Sequence, residues 1–174
     1  MALNFPRNTA YRKIDHDSMV IVLPVDPNLN YAEGIPCYWD AAAKLAKPIP
    51  AKSATPATDD AIVAAYCGLA QASSPVAHHT RDGKMLGLKQ MAFYIGDVVA
   101  KVFMHAGQAV DMFTPVFQGD EVGVTEVLPG GDTRTEALGH VILDVEEYKV
   151  ARTTAEGEEV STLLRPSIFK NRSF

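Results

Sequence analysis

The sequence predicts an α+β fold in which an antiparallel sheet wraps one long buried helix. Three observations predict it. In residues 86–104, LGLKQMAFYIGDVVAKVFM, the side chains Leu88, Met91, Ala92, Ile95, Val99, Val102 and Phe103 recur at three- and four-residue steps, the spacing of a helix face. The same stretch is apolar almost all round, broken only by Lys89, Gln90, Asp97 and Lys101, so such a helix needs cover on most sides. After Gly107 the apolar period changes to two, and a run of helices followed by a run of strands indicates α+β.

Taken in order, residues 1–17 are polar and read as irregular, and Ser18–Leu23 reads as a buried strand closed by Pro24. DPNLN at 26–30 is turn chemistry. Ile35–Lys47 reads as a short helix, with Pro36 in its first turn and an Ala-rich middle. Residues 48–56 hold three prolines and read as a linker. Residues 1–57 are therefore expected to be an arm belonging to the same domain as a core over 58–174. A second helix starts near Thr58, with Asp59 and Asp60 in its first turn, where the helix dipole favours negative charge. It runs out in the loop 71–84. Strands are expected over 110–117, around Val122 and Val124, over 134–152 with a bulge near Glu146 and Glu147, and over 158–165.

With 174 residues, 47% hydrophobic and 21% charged, the chain is long enough for one well-filled core. A net charge of −5 argues against nucleic acid as a partner, since phosphate binding needs a basic surface. The segment 86–104 is too short and too charged to span a membrane. MALNFPRNTAYRK has no apolar run of the kind a signal peptide needs, so a cytoplasmic protein is expected. Cys37 and Cys67 have no metal-ligand spacing and read as reduced thiols. No internal repeat and no low-complexity tract are visible, and no cofactor is expected.

A sheet curled round one apolar helix is the hot-dog arrangement, and three motifs resemble the MaoC-like hydratases and dehydratases that adopt it. FTPVFQGDEVGVTEV is similar to their PVF-x-GD strand–turn–strand. EEYKVARTTAEGEEVSTLLRP is similar to their closing hairpin. TDDAIVAAYCGLAQASSPV is similar to their helix and loop before the central helix. The resemblance implies chemistry on acyl thioesters of coenzyme A or an acyl carrier, with an Asp and a His adding or removing water. It also implies backbone N–H groups at a helix start that polarise the thioester carbonyl. Alignment on Pro75 places Ala72 at the family's Asp and Ala77 at its His, and neither moves a proton. Gly87 stands in place of a further His, and Leu88 in place of a Gly.

The titratable groups of the loop are His78, His79 and Asp82. An imidazole is the usual acid/base group at neutral pH, and Asp82 or Ser74 would orient it. Arg81 completes the HHTRD cluster. Gly87 on the helix invites a close approach, and Gln90 near its start offers a hydrogen bond to a substrate carbonyl. Adjacent histidines without a further ligand pattern carry no metal expectation. Asp97 is expected to pair with Lys101 at i+4. Two readings stay open: a thioester hydratase, dehydratase or thioesterase working through His78 or His79, and a non-catalytic subunit or acyl-binding protein. Exposed sheet edges invite pairing, so a homodimer or higher oligomer is expected.

Overall fold

The computed structural model describes residues 19–71, 78–79, 85–86, 90–142, 152–155 and 158–165. Five strands form the first half: β1 (Met19–Pro24), β2 (Pro36–Asp40), β3 (Leu45–Pro48), β4 (Tyr66–Ala70) and β5 (Gln90–Ile95). They lie side by side in the order β1-β5-β4-β2-β3. The continuation of β1 then meets β3 in a parallel bridge, Val25 to Ala46, which brings the sheet round into a ring. Its interior is filled by Val25, Cys37, Ala46, Ala70, Met91, Phe93 and Ile95. A helix, α1 (Pro56–Ala64), joins β3 to β4.

The second half repeats this plan with β6 (Val98–Met104), β7 (Pro115–Gln118), β8 (Val124–Glu126), β9 (Gly139–Val141) and β10 (Glu158–Leu164). These close a barrel in the cyclic order β6-β10-β9-β7-β8, which is the order of the first half with every strand advanced by five. Antiparallel pairs match antiparallel pairs, and the parallel β6–β8 contact matches the Val25–Ala46 bridge. Even the register matches. A constant shift of 79 positions (20 to 99, 36 to 115) carries the bridge Val25–Ala46 onto the pair Met104–Thr125. The chain Pro36–Leu69–Tyr94 across β2, β4 and β5 becomes Pro115–His140–Leu163 across β7, β9 and β10.

The backbone agrees at two unusual places. Gly34 (φ 78°) corresponds to Phe113 (φ 64°), and Lys44 (φ 56°) to Gly123 (φ 80°). The left-handed region is strained for a residue with a Cβ, so Phe113 and Lys44 hold it only because the barrel demands it. The demand is visible in the bonding. Gly34 N–H donates to Ala70 O at 2.7 Å, and Phe113 N–H donates to the corresponding Val141 O at 2.8 Å. The chain is thus two copies of one five-stranded barrel, joined at Gly96–Asp97. The repeat is invisible in the sequence because, over 19–48 against 98–127, only Val20/Val99 and Pro36/Pro115 are identical.

The hot-dog expectation is overturned. Among the described residues the fold is mostly β, and its helix, α1, is nine residues long. No helix lies over the described part of 86–104. That segment holds β5, the last strand of the first barrel, and β6, the first strand of the second. The physical reason is a phase change. Met91, Phe93 and Ile95 point inward along β5; Gly96 (φ 107°) and Asp97 then shift the pleat, and Val98, Ala100, Val102 and Met104 point inward along β6. Two period-two patterns joined out of phase imitate three- and four-residue steps. The β-branched and aromatic residues there fit strands.

Ile35–Lys47 is likewise the β2–β3 hairpin rather than a helix. Its Ala-rich run forms the turn, where Asp40 Oδ1 accepts the N–H groups of Ala42 and Ala43 at 3.0 Å. The expected helix from Thr58 ends at Ala64, and its apolar continuation is β4. The strand near 18–23 is present as β1, although it is not the buried strand expected, since Val20 and Val22 are exposed, and the last strand is present as β10. Of the long strand expected over 134–152, Gly139–Val141 and Arg152–Thr153 are strand, and the bulge at Glu146 and Glu147 lies outside the described residues.

Candidate functional site

The densest polar constellation lies where the two barrels meet. Three charged side chains are buried among the described residues, Asp59, Glu126 and Arg134, and all three belong to it. Glu126 sits at the end of β8 with its carboxylate against the first barrel. Lys52, in the segment after β3, reaches it with Nζ at 2.7 and 2.8 Å from the two oxygens, and bonds Asp120 Oδ1 at 2.9 Å. From the other side Arg134 donates through Nη2 to Glu126, through Nε and Nη2 to Asp132 (3.0 and 2.8 Å), and through Nη1 to Gln118 O at 2.6 Å. Its guanidinium lies over the Phe117 ring at 5.7 Å.

Around this core the backbone is bonded across the seam. Lys52 N–H donates to Gly119 O at 2.8 Å. Asp59 accepts Ser53 N–H at 3.0 Å and Gln118 Nε2 at 3.3 Å. Asp60, on α1, accepts the N–H groups of Thr135 and Glu136, each at 2.9 Å, and the Thr135 hydroxyl at 2.9 Å. A charged pair so placed is held by several hydrogen bonds at once, which is the condition for a buried pair to offset its desolvation.

The electrostatics are set by these contacts. Bonding to Lys52 holds the Asp120 carboxyl below its ordinary value, and Arg134 does the same for Asp132. Burial pushes Asp60 upward, but the bonds from Glu136 and Thr135 outweigh it and leave it lowered. For Lys52 and Arg134 burial works against the charge, and their carboxylate partners more than offset it, so both are raised. Carboxylates with a folded pKa below the unfolded value stabilise above about pH 4, and this is lost as pH falls through the folded values. Cations with a raised pKa stabilise below about pH 10, and this is lost as pH rises through the folded values. Urea unfolding across pH is therefore expected to show a plateau between about pH 5 and 9 and a loss of stability in acid; a midpoint that peaks near pH 4 contradicts this assignment of charges.

His105 Nε2, Asp120 and Glu126 bring ligand-type atoms within 4.8 Å of one another, a donor set that suits a divalent cation. The Lys52 ammonium already bonds both carboxylates, however, and Arg134 bonds Glu126 as well. His105 Nε2 accepts Asp120 N–H at 3.3 Å. A fixed cation stands where an ion would bind, so the cluster reads as a clamp between barrels.

The residues singled out from the sequence lie elsewhere. His78 and His79 form a short antiparallel pair with Met85 and Leu86, and their side chains lie outside the described residues. Ser74, Arg81, Asp82, Gly87 and Leu88 also lie outside them, as do Ala72 and Ala77. Gln90 opens β5, exposed and paired with Pro24. Asp97 bonds not to Lys101 but to Arg165, two bonds of 2.9 and 2.8 Å that tie the inter-barrel link to the end of β10. The helix start that was to hold an oxyanion is absent from the described part of 86–104. Cys37 and Cys67 are free thiols, and burial pushes Cys67 up to about 12. Sequence reasoning missed Lys52, Glu126 and Arg134, which are far apart in the chain; the one available signal was the acidic and basic pair Glu126 and Arg134 flanking a PGGD turn.

The fold and the clamp define a duplicated-barrel protein. The chain matches no family model and no curated protein. No described helix is long and apolar enough to cross a membrane.

Proposed function

We propose that the chain is a non-catalytic assembly subunit, a rigid two-barrel block that works through its surface. The observation that carries this reading is that the buried charges among the described residues form one bonded network at the barrel seam: Glu126 bonds Lys52 and Asp59 bonds Gln118 across it, and Arg134 holds Glu126 from within the second barrel. Both barrel interiors are filled by side chains, as in small barrels without a ligand cavity. Surface features point the same way. Val20 and Val22 on β1 are 50% and 62% exposed, and Phe113 is 68% exposed. Exposed apolar side chains offer a surface for contact with another chain.

The test is twofold. Light scattering is expected to give a mass of at least twice 18.8 kDa, and a panel of enoyl and acyl thioesters of coenzyme A is expected to show no turnover above buffer. Turnover that disappears in His78→Ala or His79→Ala overturns the proposal in favour of thioester chemistry.

A further inference from the structure

The duplication makes one surface of the molecule predictable from another. On the first barrel, the outward face carrying Tyr38, Leu69 and Tyr94 is covered, and these residues share one apolar cluster with the interior of the second barrel. The cover beside it is the β7–β8 hairpin. Its residues Gln118, Gly123 and Val124 line a small cavity against Pro36, Ile49 and Pro50 of the first barrel, and its tip residue Val122 packs on the first barrel's core.

The corresponding face of the second barrel carries Phe117, His140 and Leu163. Among the described residues it is an open groove of about 630 Å³, bordered by Phe113, Pro115 and Arg165. The hairpin that corresponds to the cover is β2–β3 of the first barrel. Its tip, residues 41–44, is exposed, and Ala43 stands at the position of Val122. Among the described residues, one molecule therefore carries an uncovered hairpin and a matching open face, in which Phe117 is buried under Arg134 while His140 is exposed.

We propose that the groove on the second barrel receives the β2–β3 hairpin of a second copy of this chain, so that copies add head to tail. The proposal rests on the reading that the protein acts by assembly, and it names the surfaces. Three observations carry it. The two faces occupy the same register positions on the same barrel. The two hairpins have the same length and the same left-handed residue, Lys44 in one and Gly123 in the other. Phe113, held in a strained backbone conformation with its ring exposed, lies at the groove's edge, where a second copy would cover it. The contact is heterologous, because groove and hairpin are different surfaces, so it generates a ring if the rotation closes and a filament if it does not.

The experiment uses two variants of the full chain, Phe113→Glu in the groove and Ala43→Glu on the hairpin. Both sites are exposed and lie outside the clamp, and unchanged circular dichroism and melting temperature confirm folding; His140→Glu replaces the groove variant should Phe113→Glu fail to fold. Sedimentation is expected to show wild type as an oligomer and each variant alone as an 18.8 kDa species. An equimolar mixture, which keeps one intact groove and one intact hairpin, is expected to give a dimer of twice that mass and nothing larger. A mixture that stays monomeric overturns the proposal, as does a monomeric wild type at micromolar concentration. A dimer that forms only after truncation following Arg165 assigns the groove to the chain's own residues 166–174 and also overturns it. An oligomeric wild type that neither variant disrupts, with no thioester turnover, overturns this interface and leaves the assembly reading standing; a monomeric wild type or thioester turnover removes that reading as well.

Discussion

Glu126→Ala is expected to lower the stability of the chain by roughly 3–5 kcal/mol, the usual cost of removing one partner from a buried charge network. Glu126 is 5% exposed and Arg134 is 5% exposed, so little water reaches either group. Removal of the carboxylate leaves Arg134 and Lys52 close together with their shared counter-charge gone. Arg134 keeps Asp132 and Lys52 keeps Asp120, which places the loss at the lower end of that range. For a chain of this size each kcal/mol moves the melting temperature by about 2–4 °C, so a fall of about 10 °C is expected. Calorimetry of Glu126→Ala, Arg134→Ala and the double variant gives the coupling between them. A double variant as unstable as the sum of the singles contradicts the Glu126–Arg134 bond that holds the clamp's carboxylate, because bonded partners are not additive.

Gly139→Ala is expected to destabilise by about 3 kcal/mol, at the upper end for overpacking a core, and Gly68→Ala by at least as much, because Gly68 also holds a φ of 151° that a Cβ strains. A Cβ at Gly139 lies 2.5 Å from Leu163 O and 2.8 Å from Leu164 Cδ2 and Thr162 Cγ2. The oxygen belongs to the neighbouring strand, so relief requires β9 and β10 to part. Gly68 is its counterpart in the first barrel, and a Cβ there runs into Tyr94 O on β5, the counterpart of Leu163 O. Gly130→Ala, in open space on the loop after β8, serves as a control expected to change little. Urea unfolding of the three variants checks this. Equal midpoints for Gly139→Ala and Gly130→Ala contradict the close strand approach, and a Gly68→Ala chain clearly more stable than Gly139→Ala contradicts the equivalence of the barrels.

The error over 86–104 shows how far local pattern reaches. Its apolar density was legible, and both strands there are indeed buried. Its period was misread because Gly96 and Asp97 hide a strand junction inside a continuous apolar run. The Ala-rich stretch at 41–43 misled in another way, since helix propensity is a weak prior that a hairpin turn capped by Asp40 overrides. The candidate site at 74–90 was chosen by its density of titratable side chains along the chain. The constellation that the fold assembles joins Lys52 to Glu126 and Arg134, and a separation of that length leaves no local trace.

By itself the sequence determined the features that depend on composition and local chemistry: a well-filled globular core, strands near 18–23 and 158–165, a turn at PGGD, and no apolar stretch in 86–104 fit to cross a membrane. Tertiary structure alone decided that two segments with almost no residues in common are the same barrel. Barrel closure constrains register, inward volume and backbone handedness at a few positions, and many residues satisfy those constraints, so the repeat survives in Gly34 and Phe113, or Lys44 and Gly123, as a shared φ and not as a shared side chain.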